Sequence, residues 1–172
     1  MRRFAFAVLA FVLLPSAAMA QQAKADAEAV QDCVGKKSGP EGDLPSAGPL
    51  RDKFMAEMGD PQDCRGVIAK ACETAGGDQD ACLTRESRAW LKAVADVGAG
   101  SSNKKAAAAW KAASSRIQSH SVALCEATAA MSAWGGETVK TKGKYGMSLS
   151  SPCVSEIVAR EAIQMLTQVR GN

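Results

Sequence analysis

The chain has 172 residues, 47% of them hydrophobic and 5% aromatic, with six cysteines, one histidine and a formal net charge of +3. That length suits one domain, and so small a net charge excludes a protein that holds nucleic acid through a broadly basic surface. No apolar run approaches the roughly 20 residues of a membrane-spanning helix. The charge is nevertheless uneven: residues 21–100 hold ten basic and fourteen acidic side chains, and residues 101–150 seven basic and two acidic. The first stretch is net acidic and the second net basic, so the protein carries an electrical asymmetry.

The N-terminus reads Arg2-Arg3, an apolar run Phe4 to Leu14, Pro15, and small residues ending Ala18-Met19-Ala20. This is the pattern of a secretory signal cleaved after Ala20, and it predicts export to the periplasm or the medium. The product would begin at Gln21, which is not a lipid-attachment cysteine, and would lose two arginines, lowering the net charge from +3 to +1. Cys33, Cys64, Cys72, Cys82, Cys125 and Cys153 all follow the cleavage point. In an oxidising compartment an even set of six predicts three disulfides. There is no Cys-x-x-Cys and no cysteine–histidine pairing, so neither a metal nor a cofactor is expected. Fifteen connectivities remain open. If neighbours pair, the chain-entropy model assigns about 3 to 4 kcal/mol to each bridge.

After the signal, an Ala-rich charged stretch at 22–34 predicts a short helix ending near Gly35. Four glycines and three prolines between Gly35 and Pro49 predict a loop. Leu50 to Met58 suits one or two helical turns, and 63–74 a short helix stopped by Gly76-Gly77. Residues 21–62 thus read as a loop-rich extension, and 63–172 as the core of a single domain. Leu83, Trp90, Leu91, Val94 and Val97 lie at helical spacing, with Arg85, Glu86, Arg88, Lys92 and Asp96 expected on the polar side. Gly98 to Ser102 breaks that helix. Asn103 is a candidate N-cap for a long helix whose inward positions are expected to be Trp110, Ala113, Ile117, Leu124, Thr128 and Met131, closed by Gly135-Gly136. Ser151-Pro152 predicts the start of a last helix with Val154, Ile157, Val158, Ala162, Met165, Leu166 and Val169 inward. No segment favours a strand. The expectation is an all-α, disulfide-stapled array of three main helices with a loop-rich N-terminal part.

No catalytic constellation accompanies this scaffold. His120 is alone and reads as a packing or surface residue. No Gly-x-Ser-x-Gly or Ser-x-x-Lys arrangement activates a serine, so an enzyme is not expected. Lys104, Lys105 and Lys111 with Lys140, Lys142 and Lys144 form a basic region able to meet an anionic wall polymer or membrane surface. Trp134, beside two glycines, is expected to be partly exposed.

Cys64-Arg65-Gly66, Cys72, Ala81-Cys82 with Glu86 and Trp90, Cys125, Trp134-Gly135-Gly136, and Cys153 with Glu156 and Arg160 together resemble the bacterial LprI-type domain family, the lysozyme inhibitor LprI N-terminal-like domain. The resemblance covers most of the chain after the signal. It implies a helical, exported, disulfide-bonded binding module without catalysis, whose partner is a lysozyme or another wall-active protein. Lysozymes are commonly basic, so electrostatic steering would favour an acidic face, for which Asp78, Asp80 and Glu86 are the candidates.

Overall fold

The computed structural model describes residues 5–39, 48–49, 59–99, 102–132 and 148–170. Its elements are α1 (Ala5–Ser38), a 3-10 turn η1 (Pro61–Cys64), α2 (Val67–Thr74), α3 (Gln79–Val97), α4 (Lys104–Ser132) and α5 (Pro152–Arg170). Among the described residues there is no strand, and the protein is an all-α array stapled by three disulfides. Also among them, no helix is long and apolar enough to cross a membrane. The expected turns at 50–58 and the Gly135-Gly136 stop lie outside the described residues.

The axis of the fold is α3, which packs against α1, α2, α4 and α5. Its sequence explains this role. Ala89, Trp90, Leu91, Ala93 and Val94 are all buried, so the helix is apolar around most of its circumference over these turns. Ala27, Val30 and Val34 of α1, Ile68 of α2, Ile117 and Cys125 of α4, and Val154, Val158, Ile163 and Leu166 of α5 join it in one core. Polar side chains close the remaining gaps. Gln31 of α1 donates to the Ala93 carbonyl at 2.8 Å, and Ser114 of α4 to the Leu91 carbonyl at 2.7 Å. Ser87 of α3 donates to the Leu149 carbonyl at 3.0 Å.

The stretch expected as a short helix at 22–34 is part of a longer one. It passes through Gly35 and stops at Ser38, followed by Gly39 at φ 81° in the left-handed region that glycine tolerates. Tertiary contacts override the local glycine penalty: Val34 is buried, Cys33 is bridged to Cys64, and Lys37 pairs with Asp63 at 2.9 Å. Residues 21–38 are therefore integral to the core, and α1 joins the three main helices expected. The single helix expected over 63–74 is divided. Asp60 caps η1 through Gln62, Pro61 occupies its first position, and Gly66 at φ 78° turns the chain before α2 starts. The Asn103 cap and the Pro152 start are observed as expected, with Asn103 Oδ1 accepting from Lys105 at 3.0 Å.

The inward line of α4 differs from the expected one. Ser121 and Cys125 are buried, whereas Leu124 is 37% exposed and Thr128 is exposed. The serine is accommodated because its hydroxyl donates to the Ile117 carbonyl at 2.7 Å, leaving no polar group unpaired inside. Cys125 is pulled inward by its bridge to Cys153. The disulfides join neighbours in sequence: Cys33–Cys64, Cys72–Cys82 and Cys125–Cys153, with Cα–Cα distances of 5.9, 5.5 and 6.0 Å. They tie α1 to η1, α2 to α3, and α4 to α5.

Glu86, expected on a polar face, is 2% exposed. One carboxylate oxygen accepts from the Gly66 amide at 3.0 Å and from the Trp90 indole N–H, and the other from the Ile68 and Ala69 amides at 2.7 and 2.9 Å. The acid replaces the side-chain cap that glycine cannot supply to α2, and the N-terminal helix dipole favours its charge. Substituting Glu86→Gln removes one acceptor oxygen and points an amide N–H₂ at backbone donors. A loss on the order of 3 kcal/mol is expected. Urea unfolding should give a lower midpoint with an unchanged slope.

Candidate functional site

Between α1 and the N-terminal half of α3 lies an open cleft of about 610 Å³; Met19, inside the leader-like segment, lines one end of it, and its other lining residues run from Gln22 onward. Its surface combines the small apolar side chains Ala23, Ala81 and Ala89 with a rim of Asp78, Asp80 and Arg88. Each rim residue has a structural origin. Asp78 is the N-cap of α3, accepting from the Ala81 amide at 3.1 Å, and Asp80 stands in the first turn, where the helix dipole favours an acid. Both are exposed, as is Arg88. The Cys72–Cys82 bridge fixes this end of α3 to α2 and so holds the rim in place.

One wall of the cleft is an ion pair that sequence reasoning did not find. Arg85 donates through Nε and Nη2 to the two oxygens of Asp26 at 2.6 and 2.7 Å, and Gln22 adds a third bond to Asp26 at 2.8 Å. Asp26 is 5% exposed, while the arginine remains about one-third exposed. Burial pushes the Asp26 carboxyl up, but the hydrogen bonds from Arg85 and Gln22 and the guanidinium charge outweigh it and hold the group below its ordinary value. The hydrogen bond that Arg85 donates to Asp26 correspondingly raises Arg85. The signal for Asp26 was present in its position: it adjoins Ala27 and falls on the same face as Val30 and Val34, where a solvated acid does not belong.

Of the acids expected to form a surface, the structure brings Asp78 and Asp80 together at one cleft and removes Glu86 to the interior. Trp134, Lys140, Lys142 and Lys144 lie outside the described residues. Lys104, Lys105 and Lys111 are exposed on α4 together with Arg116. Among the described residues, none of these four makes an ion pair. His120 is exposed on the same helix, and no cluster of histidine, cysteine and acidic side chains among the described residues is arranged to hold a metal. What the α1–α3 cleft can do chemically is recognise: it offers apolar contact on its floor and charge at its edge. No family model, curated protein or solved structure matches the chain.

A pH dependence follows from Asp26. Its carboxyl is depressed in the folded state, so its contribution to stability is complete above the ordinary carboxylate range and is lost as pH falls through about 4 and lower. Thermal unfolding of Asp26→Asn is expected to show about 1 to 3 kcal/mol less stability near neutrality. Its deficit relative to the parent should shrink in acid, and a deficit unchanged down to about pH 2 would contradict the assignment.

Proposed function

We propose that the protein is an exported, disulfide-bonded helical binding module that acts by protein–protein contact, in the manner of a lysozyme inhibitor of LprI type. The observation that carries this reading is the α1–α3 cleft, with its alanine floor, its charged edge and its rigid mounting on a bridged helix. Discounting the mutually paired Asp26 and Arg85, the cleft edge has two carboxylates, Asp78 and Asp80, against one guanidinium, Arg88. That balance suits a basic patch on a lysozyme or a related wall-cleaving enzyme. The residues that carry the family resemblance also support the reading, because they are joined in space: Glu86 to Gly66 and Trp90, Arg65 to Glu156, Cys72 to Cys82, and Cys125 to Cys153. Export is supported by the leader-like N-terminus and the three bridges, and the role needs no catalytic step, metal or cofactor.

A second reading draws on α4. Its exposed Lys104, Lys105, Lys111 and Arg116 face no acidic side chain on their own helix before Glu126, an arrangement suited to an anionic wall polymer or a lipid headgroup layer. In that case the protein would be an envelope interaction protein, and its binding would fall steeply with salt.

Titrating the oxidised protein against lysozymes of several types, with wall lysis and direct binding followed together, separates the two. Saturable inhibition near equimolar ratio is expected, and Asp78→Asn with Asp80→Asn should weaken it about three- to tenfold without lowering the melting temperature by more than the loss of the Asp78 cap explains. Absence of binding to every lysozyme, with salt-sensitive sedimentation on purified envelope, would transfer the assignment to α4.

A further inference from the structure

A separate cleft, of about 660 Å³, opens between the η1–α2 segment and the first turns of α5, with Leu83 and Glu86 of α3 at its floor. The volume is that of a small-ligand site. Two of its acids are already compensated: Glu86 is held by four donors, and Asp63 is bound by Lys37. The remaining charges are divided between the walls. Arg65 and Lys70 stand on the α2 side and Glu156 on the α5 side.

Four side chains here are not fully engaged. Arg65 and Glu156 meet across the cleft at 2.9 Å, but their side chains are 41% and 65% exposed, so water can replace either partner and the pair opens at little cost. Lys70 makes no ion pair among the described residues. Its Cε would lie 3.9 Å from a Cβ on Gly66, so the chain lies back over the start of α2 at the same cleft that Arg65 lines. Ser155 is only 4% exposed and lines the cleft, yet its hydroxyl makes no hydrogen bond among the described residues. Other helical hydroxyls in this protein do: Ser115, Ser119, Ser121 and Thr167 each donate to a carbonyl one turn back. The Ser155 oxygen is not one of the buried unpaired side-chain atoms, so it opens onto the cleft, where a ligand can use it in place of water.

We infer that this cleft binds a small zwitterion of the amino-acid type, a free α-amino acid or a dipeptide. Its carboxylate pairs with Arg65 and Lys70, its ammonium pairs with Glu156, and the Ser155 hydroxyl completes the contact. The charge division selects this class. An anion alone, seated on Arg65 and Lys70, would lie beside the Glu156 carboxylate and be repelled by it. A cation alone, seated on Glu156, would be repelled by Arg65 across the same cleft. A zwitterion replaces both halves of the Arg65–Glu156 pair at once and leaves no uncompensated charge. This site uses different residues from the α1–α3 cleft and does not depend on the protein-docking reading.

The test is an NMR titration of the isotope-labelled oxidised protein with alanyl-alanine, its N-acetyl form and its C-terminal amide, which carry both charges, the negative charge and the positive charge respectively. Saturable shifts of the Gly66, Ser155 and Glu156 amides are expected with the zwitterion. Each capped form should bind about tenfold more weakly or worse. Ser155→Ala, Lys70→Ala and Glu156→Gln should each weaken the zwitterion several-fold while keeping the parent spectrum elsewhere, and Asp78→Asn should leave its binding unchanged. No saturable shift with alanyl-alanine, equal affinity for all three forms, or unchanged affinity in both the Lys70 and Ser155 variants would overturn the inference.

Discussion

One buried carboxylate organises the centre of this protein. Glu86 projects from α3 and collects the amides of Gly66, Ile68 and Ala69 and the indole of Trp90. Burying a charged group is expensive unless every lone pair finds a donor, and here the donors are the free amides of a helix start, which would themselves be costly to bury unpaired. Each side of the contact satisfies the other's need for a partner. The consequence is positional. With α2 anchored on α3 at one end by Glu86 and at the other by Cys72–Cys82, the short helix gives the η1–α2 cleft a fixed wall, and the same bridge steadies the start of α3 at the rim of the α1–α3 cleft.

Around that centre the stabilisation is spread thinly. Alanines and valines dominate the core, and each contributes little buried area compared with an aromatic or a leucine. The three bridges offset this by restricting the unfolded chain, and they are distributed so that every helix takes part in at least one. The Asp26–Arg85 pair adds a directional tie between α1 and α3 where no disulfide joins them. Small side chains also allow close helix approach, which is why polar groups such as Ser114 and Gln31 reach carbonyls of α3. The geometry is therefore set by specific bonds more than by bulk packing.

Much of this was legible in the sequence, and the failures share a cause. Helix class, the Asn103 and Pro152 boundaries and the disulfide-bonded scaffold depend on local propensity and on cysteine chemistry, both of which a single chain displays. Glu86 and Asp26 were misplaced or missed because an acid on a helix reads as solvated, and only a tertiary partner makes its burial affordable. Leu124 and Ser121 exchanged places for a related reason: hydrophobicity favours leucine inside, but the helix rotation that brings Cys125 to Cys153 turns Ser121 inward with it, and a hydroxyl bonded one turn back tolerates the interior. Gly35 marks a helix end only if nothing holds the next turn, and the Cys33–Cys64 bridge and the Lys37–Asp63 pair do hold it. The expected continuous helix over 63–74 overlooked how completely an acid 20 residues away could cap a start at Gly66.

The cations of α4 bear on function by a different route. A helix start favours acids, yet the first turn of α4 contains none and opens with Lys104 and Lys105. Lys111 and Arg116 continue the same charge along the helix, all exposed, with no ion pairs among the described residues. Each choice opposes the helix dipole or adds like-charge repulsion. A sequence that keeps such a departure from local preference on a 29-residue helix, while placing acids at the starts of α3 and η1 where the dipole favours them, has separated its charges at some cost to stability. That separation leaves one small protein with a net-acidic cleft edge at the start of α3 and a cationic face on α4, two surfaces of opposite charge on one scaffold.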